Sequence, residues 1–94
     1  MIVAISNFTV ANEQASSIAA RFSRRSGKVD RHDGFLGLDV LSRRTGRGTT
    51  FVLMTRWTSR EALRAYLKSA DFRAVHQNST EQAADFAVYD VVAK

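Results

Sequence analysis

The sequence predicts a single α+β domain, residues 1–94, in the order β-α-β-β-α-β, and three observations carry that prediction. Four stretches rich in β-branched and aromatic residues, 2–10, 35–42, 49–57 and 86–92, have the length and composition of strands. Two segments with apolar residues at helical spacing stand between the first and second of these and between the third and fourth. Glycine-rich polar turns separate the pieces, and no Pro/Ser-rich linker or internal repeat divides the chain.

The first strand places Val3, Ile5, Asn7 and Thr9 on one face and Ile2, Ala4, Ser6, Phe8 and Val10 on the other. Both faces are largely apolar, so both should be covered. Asn12 is positioned to cap a helix over 13–27, whose apolar stripe is Ala15, Ile18, Ala19 and Phe22 and whose stop is Gly27. Asp30 to Gly34 reads as a polar turn. The strand over 35–42 leads through a hairpin loop at 43–48 into the strand over 49–57. Thr58 and Glu61 match a capping box, opening a helix with Ala62, Leu63, Tyr66 and Leu67 on one side. Residues 69–71 interrupt it, with Asp71 expected to cap a short helical turn. Phe72 and His76, four apart, share one side of that turn. A loop over 77–84 precedes the last strand.

This order is that of the ferredoxin-like split βαβ plan, an antiparallel sheet with both helices on one face. The other sheet face is bare in a monomer. Its apolar side chains predict burial against a second copy, hence a homodimer.

Composition excludes several classes. With no cysteine there is no disulfide, thiolate metal site or cysteine nucleophile. The N-terminus has no basic segment followed by a long apolar run, and no stretch approaches the ~18 residues that span a bilayer, so no membrane and a cytoplasmic location are expected. Lys and Arg number 14 against nine Asp and Glu, a formal charge of +5. The excess gathers at Arg21, Arg24, Arg25, Arg43, Arg44 and Arg47, which suits an anionic ligand, although a solvated basic face is the plainer account of any one of them. No phosphate loop, zinc spacing or nucleophile elbow is present.

Three polar residues stand out as candidates for chemistry: Asn7 in an otherwise apolar strand, Tyr66 on the inward side of the second helix, and His76. All three are expected to point into one space between sheet and helices. A neutral imidazole there can ligate iron, and an amide can hydrogen-bond to a distal ligand. Spacing alone favours a plainer assignment, with His76 a surface or satisfied core histidine and Asn7 a strand-end polar residue. His32 reads as a solvated loop residue.

The chain resembles the antibiotic-biosynthesis-monooxygenase-like group of dimeric α+β barrels, and within it the IsdG-type haem-degrading monooxygenases. The features are Asn7, Arg21-Phe22, Gly34-Phe-Leu-Gly37, Trp57-Thr-Ser-Arg-Glu-Ala-Leu63, and Tyr66 through Asp71-Phe-Arg-Ala-Val-His76. The Trp57 segment and the Gly-Phe-Leu-Gly turn are shared across the wider superfamily. The haem-degrading members carry an Asn/Trp/His set, and Tyr66 stands where they have Trp.

That resemblance implies a haem-degrading monooxygenase in which haem is both cofactor and substrate. His76 would be the axial ligand of the haem iron and Asn7 the distal hydrogen-bond donor. Phe22 would line the pocket, and Arg21 or Arg25 would meet a propionate. Dioxygen and an external electron donor, a reductase or small reductant, would complete the reaction. A tyrosine at 66 would press on the macrocycle less than tryptophan does, or would donate a hydrogen bond near the iron.

Two other readings belong to the same fold: a cofactor-free monooxygenase acting on a quinone or polyketide phenol, and a non-catalytic haem-binding protein. RNA-recognition motifs share the element order, but Ala4, Thr49 and Met54 occupy positions where stacking aromatics belong, leaving Phe51 alone. Each stacked base contributes about 1–3 kcal/mol, so such a surface binds poorly and no nucleic-acid partner is expected.

Overall fold

The computed structural model describes residues 1–24, 27–70, 72 and 85–94. Four strands, β1 (Ile2–Val10), β2 (Phe35–Thr45), β3 (Gly48–Trp57) and β4 (Asp85–Asp90), form one antiparallel sheet in the order β2-β3-β1-β4. The helices are α1 (Ala15–Ser23) and α2 (Arg60–Leu67), with 3-10 turns at Asn12–Gln14 and Lys28–Arg31. The α+β class and the β-α-β-β-α-β order are as the sequence predicts.

Strand β1 is central. It pairs with β3 on one side and β4 on the other, in registers that place Ala4 opposite Thr55 and Val88, and Ser6 opposite Leu53 and Phe86. Because side chains alternate across a pleat, even-numbered residues of β1 and odd-numbered residues of β3 share one face. Both helices pack there. Leu63 of α2 closes a core with Ile2, Ala4 and Trp57, against which Phe35, Ala62, Tyr66 and Leu67 lean. Ile18 of α1 closes a second core with Phe8 and Phe51, flanked by Ala15, Phe22, Val40 and Leu53. Burying a side chain such as Leu63 or Ile18 contributes roughly 1.5–3 kcal/mol.

Several element ends differ from the sequence expectation, each for a local reason. Helix α1 is shorter than 13–27, and Asn12 does not cap it. The Asn12 amide donates to the Thr45 carbonyl at 2.8 Å, and its Oδ1 accepts from the Thr49 hydroxyl at 2.7 Å. Its side chain is thus committed to the β2–β3 hairpin. That hairpin is tighter than expected: pairing continues to Thr45 and Gly48, leaving only Gly46 and Arg47 in the turn. The Thr45 hydroxyl accepts from the Arg47 amide and donates to the Gly48 carbonyl, both at 3.1 Å. Helix α2 is capped by Ser59, whose Oγ accepts from the Ala62 amide, not by Thr58. Thr58 is still tied to the preceding turn through its amide, which donates to the Gly34 carbonyl at 2.8 Å. The expected capping of a short helical turn by Asp71 lies outside the described residues.

The opposite sheet face carries Val3, Ile5, Asn7, Val52, Met54, Leu41 and Tyr89. Leu41 is 49% exposed and Tyr89 55%. Arg56 and Asp39 pair across it at 2.7 Å. No helix among the described residues is long and apolar enough to cross a membrane.

Gly34 has φ +82°, and a Cβ there would stand 2.5 Å from the Ala62 Cβ and 2.7 Å from the Thr58 Oγ1. A side chain at 34 would both strain the turn and push α2 off the sheet. Gly34→Ala is expected to lower the unfolding free energy by about 2–3 kcal/mol, read from the urea midpoint. An unchanged midpoint would show that α2 does not depend on this contact.

Candidate active site

The two cores on the helix side share no residue. Between them runs one row of side chains across all four strands, Val40–Leu53–Ser6–Phe86, fixed by the pairing registers. Val40, Leu53 and Ser6 are half-buried, and Phe86 is 55% exposed. At the β2 end of this row a cavity of about 310 Å³ is lined by Ala19, Phe22, Ser23, Val40, Ser42 and Phe51. Its wall is aromatic: Phe22 lies 5.8 Å from Phe51 and 6.2 Å from Phe8, ring centre to ring centre. The hollow is ring-walled, carries the hydroxyls of Ser23 and Ser42 in its lining, and opens onto the largely apolar row, a shape that can accept a flat ligand.

The sequence-predicted site residues do not all meet there. Phe22 lines the cavity. Arg21 is exposed, in the last turn of α1 beside it. Asn7 belongs to the other face. It lies between Ser6 and Phe8 in a regular strand, and Phe8 is sealed in the helix-side core, so the pleat turns Asn7 away with Val3 and Ile5. The expectation that Asn7 and Tyr66 share one space within a protomer therefore fails. His76 and Arg25 lie outside the described residues.

Tyr66 is a core ring. It stacks on Trp57 at 5.3 Å and 28°, and meets Phe72 edge-on at 5.4 Å. His32 also stands edge-on to it at 4.9 Å, half-buried. The sequence reading of His32 as a solvated loop residue is corrected by this contact. The polar run Asp30 to Gly34 gave no sign of it, because the ring is held by tertiary packing. Trp57 itself is fully buried, and its Nε1 donates to the Thr55 hydroxyl at 2.9 Å.

Ser6 is the residue that sequence reasoning passed over. It stands on the helix-side face between Ala4 and Phe8, and its face-mates are the buried residues of both cores. No signal for it was available in the sequence, because both faces of β1 are largely apolar.

Because Tyr66 completes the first core, Tyr66→Ala is expected to cost about 2–4 kcal/mol in unfolding free energy, while Tyr66→Phe stays within about 1 kcal/mol of the wild type. Urea denaturation measures both. A negligible effect of the alanine would free Tyr66 from its structural role.

Residues 1–78 match the family model described as antibiotic biosynthesis monooxygenase. A haem-degrading monooxygenase of Bacillus cereus (strain B4264) is 30% identical over 79 residues, covering 83% of this chain and 73% of that protein. One of Halalkalibacterium halodurans is 29% identical over 77 residues, covering 81% and 66%. Among solved structures, the haem degrader MhuD of Mycobacterium tuberculosis, with two haems bound in its active site, superposes with a TM-score of 0.75 at 26% identity, covering 100% of this chain and 98% of that one. SnoaB, a cofactor-independent oxygenase of Streptomyces nogalater, gives 0.75 at 15% identity, covering 99% and 93%, a likeness of fold alone. With most of its length matched, the chain belongs to the antibiotic biosynthesis monooxygenase family and is an enzyme of the monooxygenase class.

Proposed function

We propose that this enzyme is a haem-degrading monooxygenase that acts as a homodimer in the cytoplasm. The observation that carries the reading is the apolar strip and ring-lined cavity on the helix side of the sheet, in a chain 30% identical to haem-degrading relatives. The residues present fit such a ligand. Phe22, Val40 and Leu53 are half-buried and leave apolar surface for a porphyrin plane, with Phe51 sealed behind them, and Arg21 and Arg24 are exposed cations at the end of α1 for its carboxylates. Arg25 would join them, and His76 would ligate the iron. Haem, when bound, supplies an iron centre that activates dioxygen with electrons from an external donor, a reductase or small reductant.

The chain's own contribution is binding and water exclusion. Aromatic and aliphatic side chains remove the ring from solvent, and arginines fix its orientation. Tyr66 acts through packing. It holds Trp57 and α2 on the sheet and so sets one side of the strip.

One observation favours a second reading. A cavity of about 310 Å³ stands at the low end of the ~300–1,000 Å³ usual for small-molecule sites. It suits a quinone or polyketide phenol of a few fused rings, whereas a porphyrin needs the strip as well. Hemin titration of the apoprotein, followed by ascorbate in air, decides between them. A saturable red-shifted Soret band that bleaches with reductant is the expected result. Binding without bleaching would indicate a haem-binding protein that does not turn over, and no saturable binding would leave the quinone or phenol substrates.

The dimer is proposed on the far sheet face, where Val3, Ile5, Val52, Met54, Leu41 and Tyr89 form an apolar patch that neither helix covers, with Leu41 and Tyr89 exposed. Val52→Lys places a charge at its centre and is expected to shift the mass measured by light scattering from two chains to one. A wild-type mass of one chain would overturn the dimer.

A further inference from the structure

Resting on the proposed haem site, we infer that Ser6, not Asn7, presents the sheet's hydrogen-bonding group to the bound ligand. Three observations lead there. The pleat fixes direction: Ile2, Ala4 and Phe8, two or four residues from Ser6, are all sealed in the helix-side cores, so Ser6 points to the same side. Ser6 is also the polar member of the row Val40–Leu53–Ser6–Phe86, half-buried between Leu53, which packs against the α1 core, and the exposed Phe86. Finally, its hydroxyl is unspent. The Thr49 hydroxyl is given to Asn12 and the Thr55 hydroxyl receives Trp57, while Ser6 makes no side-chain hydrogen bond among the described residues.

The backbone around Ser6 offers little competition. Strand β1 is laddered on both sides at this position, to Leu53 and to Phe86, so the neighbouring amides and carbonyls are already paired. A half-buried hydroxyl in an apolar strip keeps its bond to water until a ligand displaces that water. A ligand with an acceptor at that place recovers the bond; one without it pays for its loss. Serine is also small, and with Ala4 beside it the floor stays low where a flat ligand must lie. An asparagine here would raise the floor.

The test titrates hemin into the wild type, Ser6→Ala, Ser6→Thr and Asn7→Ala, and records the infrared C–O stretch of each ferrous carbonyl form. Circular dichroism melts confirm that each variant is folded. Ser6→Ala is expected to weaken hemin binding about fivefold, the equivalent of one ordinary hydrogen bond, and to raise the C–O frequency. Ser6→Thr, which keeps the hydroxyl on a β-branched side chain, restores both. A shift in Asn7→Ala with none in Ser6→Ala overturns the inference and leaves the haem reading standing. Absence of saturable hemin binding to the wild type overturns both.

Discussion

Everything on the helix side of this protein depends on the alternation of side chains along β1. The strand is hydrogen-bonded to a neighbour on each side over Ile2 to Asn7, so it cannot slip or rotate without breaking two ladders. Its even-numbered residues supply Ile2 and Ala4 to one core and Phe8 to the other. A one-residue slip would bury Asn7 and Thr9 and expose Phe8, exchanging apolar burial for unpaired amide and hydroxyl groups. The register is therefore fixed by packing, and the residue that faces the cleft is fixed with it.

The second constraint is aromatic. Trp57 has no exposed surface, and Phe35 and Tyr66 contact its ring at 5.4 and 5.3 Å. These contacts join the start of β2, the end of β3 and α2 at one corner. Gly34 allows that corner to close, because its missing side chain leaves room for Ala62 and Thr58. Phe8, Phe22 and Phe51 form the counterpart under α1. The space between the corners is what neither ring cluster fills.

Element order, sheet class and the inward side of α2 were legible in the sequence because they rest on periodicity, and Leu63, Ala62, Tyr66 and Leu67 all pack as their spacing requires. Direction was less legible. With apolar residues on both faces of β1, alternation separates Asn7 from Ser6 but does not say which set meets the helices; only the burial of Phe8 beside α1 decides it. Caps were misread for a related reason. Asn12 has the chemistry of a cap, yet the β2–β3 hairpin comes close enough to take both ends of its amide. Thr58 likewise has the right side chain, but its backbone is held one residue too early by Gly34. Such choices among partners distant in sequence are settled by tertiary contact, which local pattern does not encode.

Charge is sorted on the surface in a way that bears on the ligand. Arg56 and Arg60 are paired, with Asp39 at 2.7 Å and Asp90 at 3.2 Å, and both pairs are substantially exposed, so they contribute little to stability. The hairpin arginines Arg43, Arg44 and Arg47 are exposed as well. Arg44 follows Ser42 by two residues and so stands on the same face of β2, about 7 Å along the strand from a side chain that lines the cavity. Arg21 and Arg24 adjoin Phe22 and Ser23 in sequence, two of the three α1 residues of that lining, but neighbours on a helix point in different directions. Arg44 thus stands near one end of a cavity whose wall is aromatic and whose lining includes the Ser23 and Ser42 hydroxyls. Within a Debye length of about 8 Å at physiological ionic strength, these guanidinium groups act on a ligand's charge without being buried themselves. Of these arginines, Arg44 is the one that the strand register sets on the face of a cavity-lining side chain.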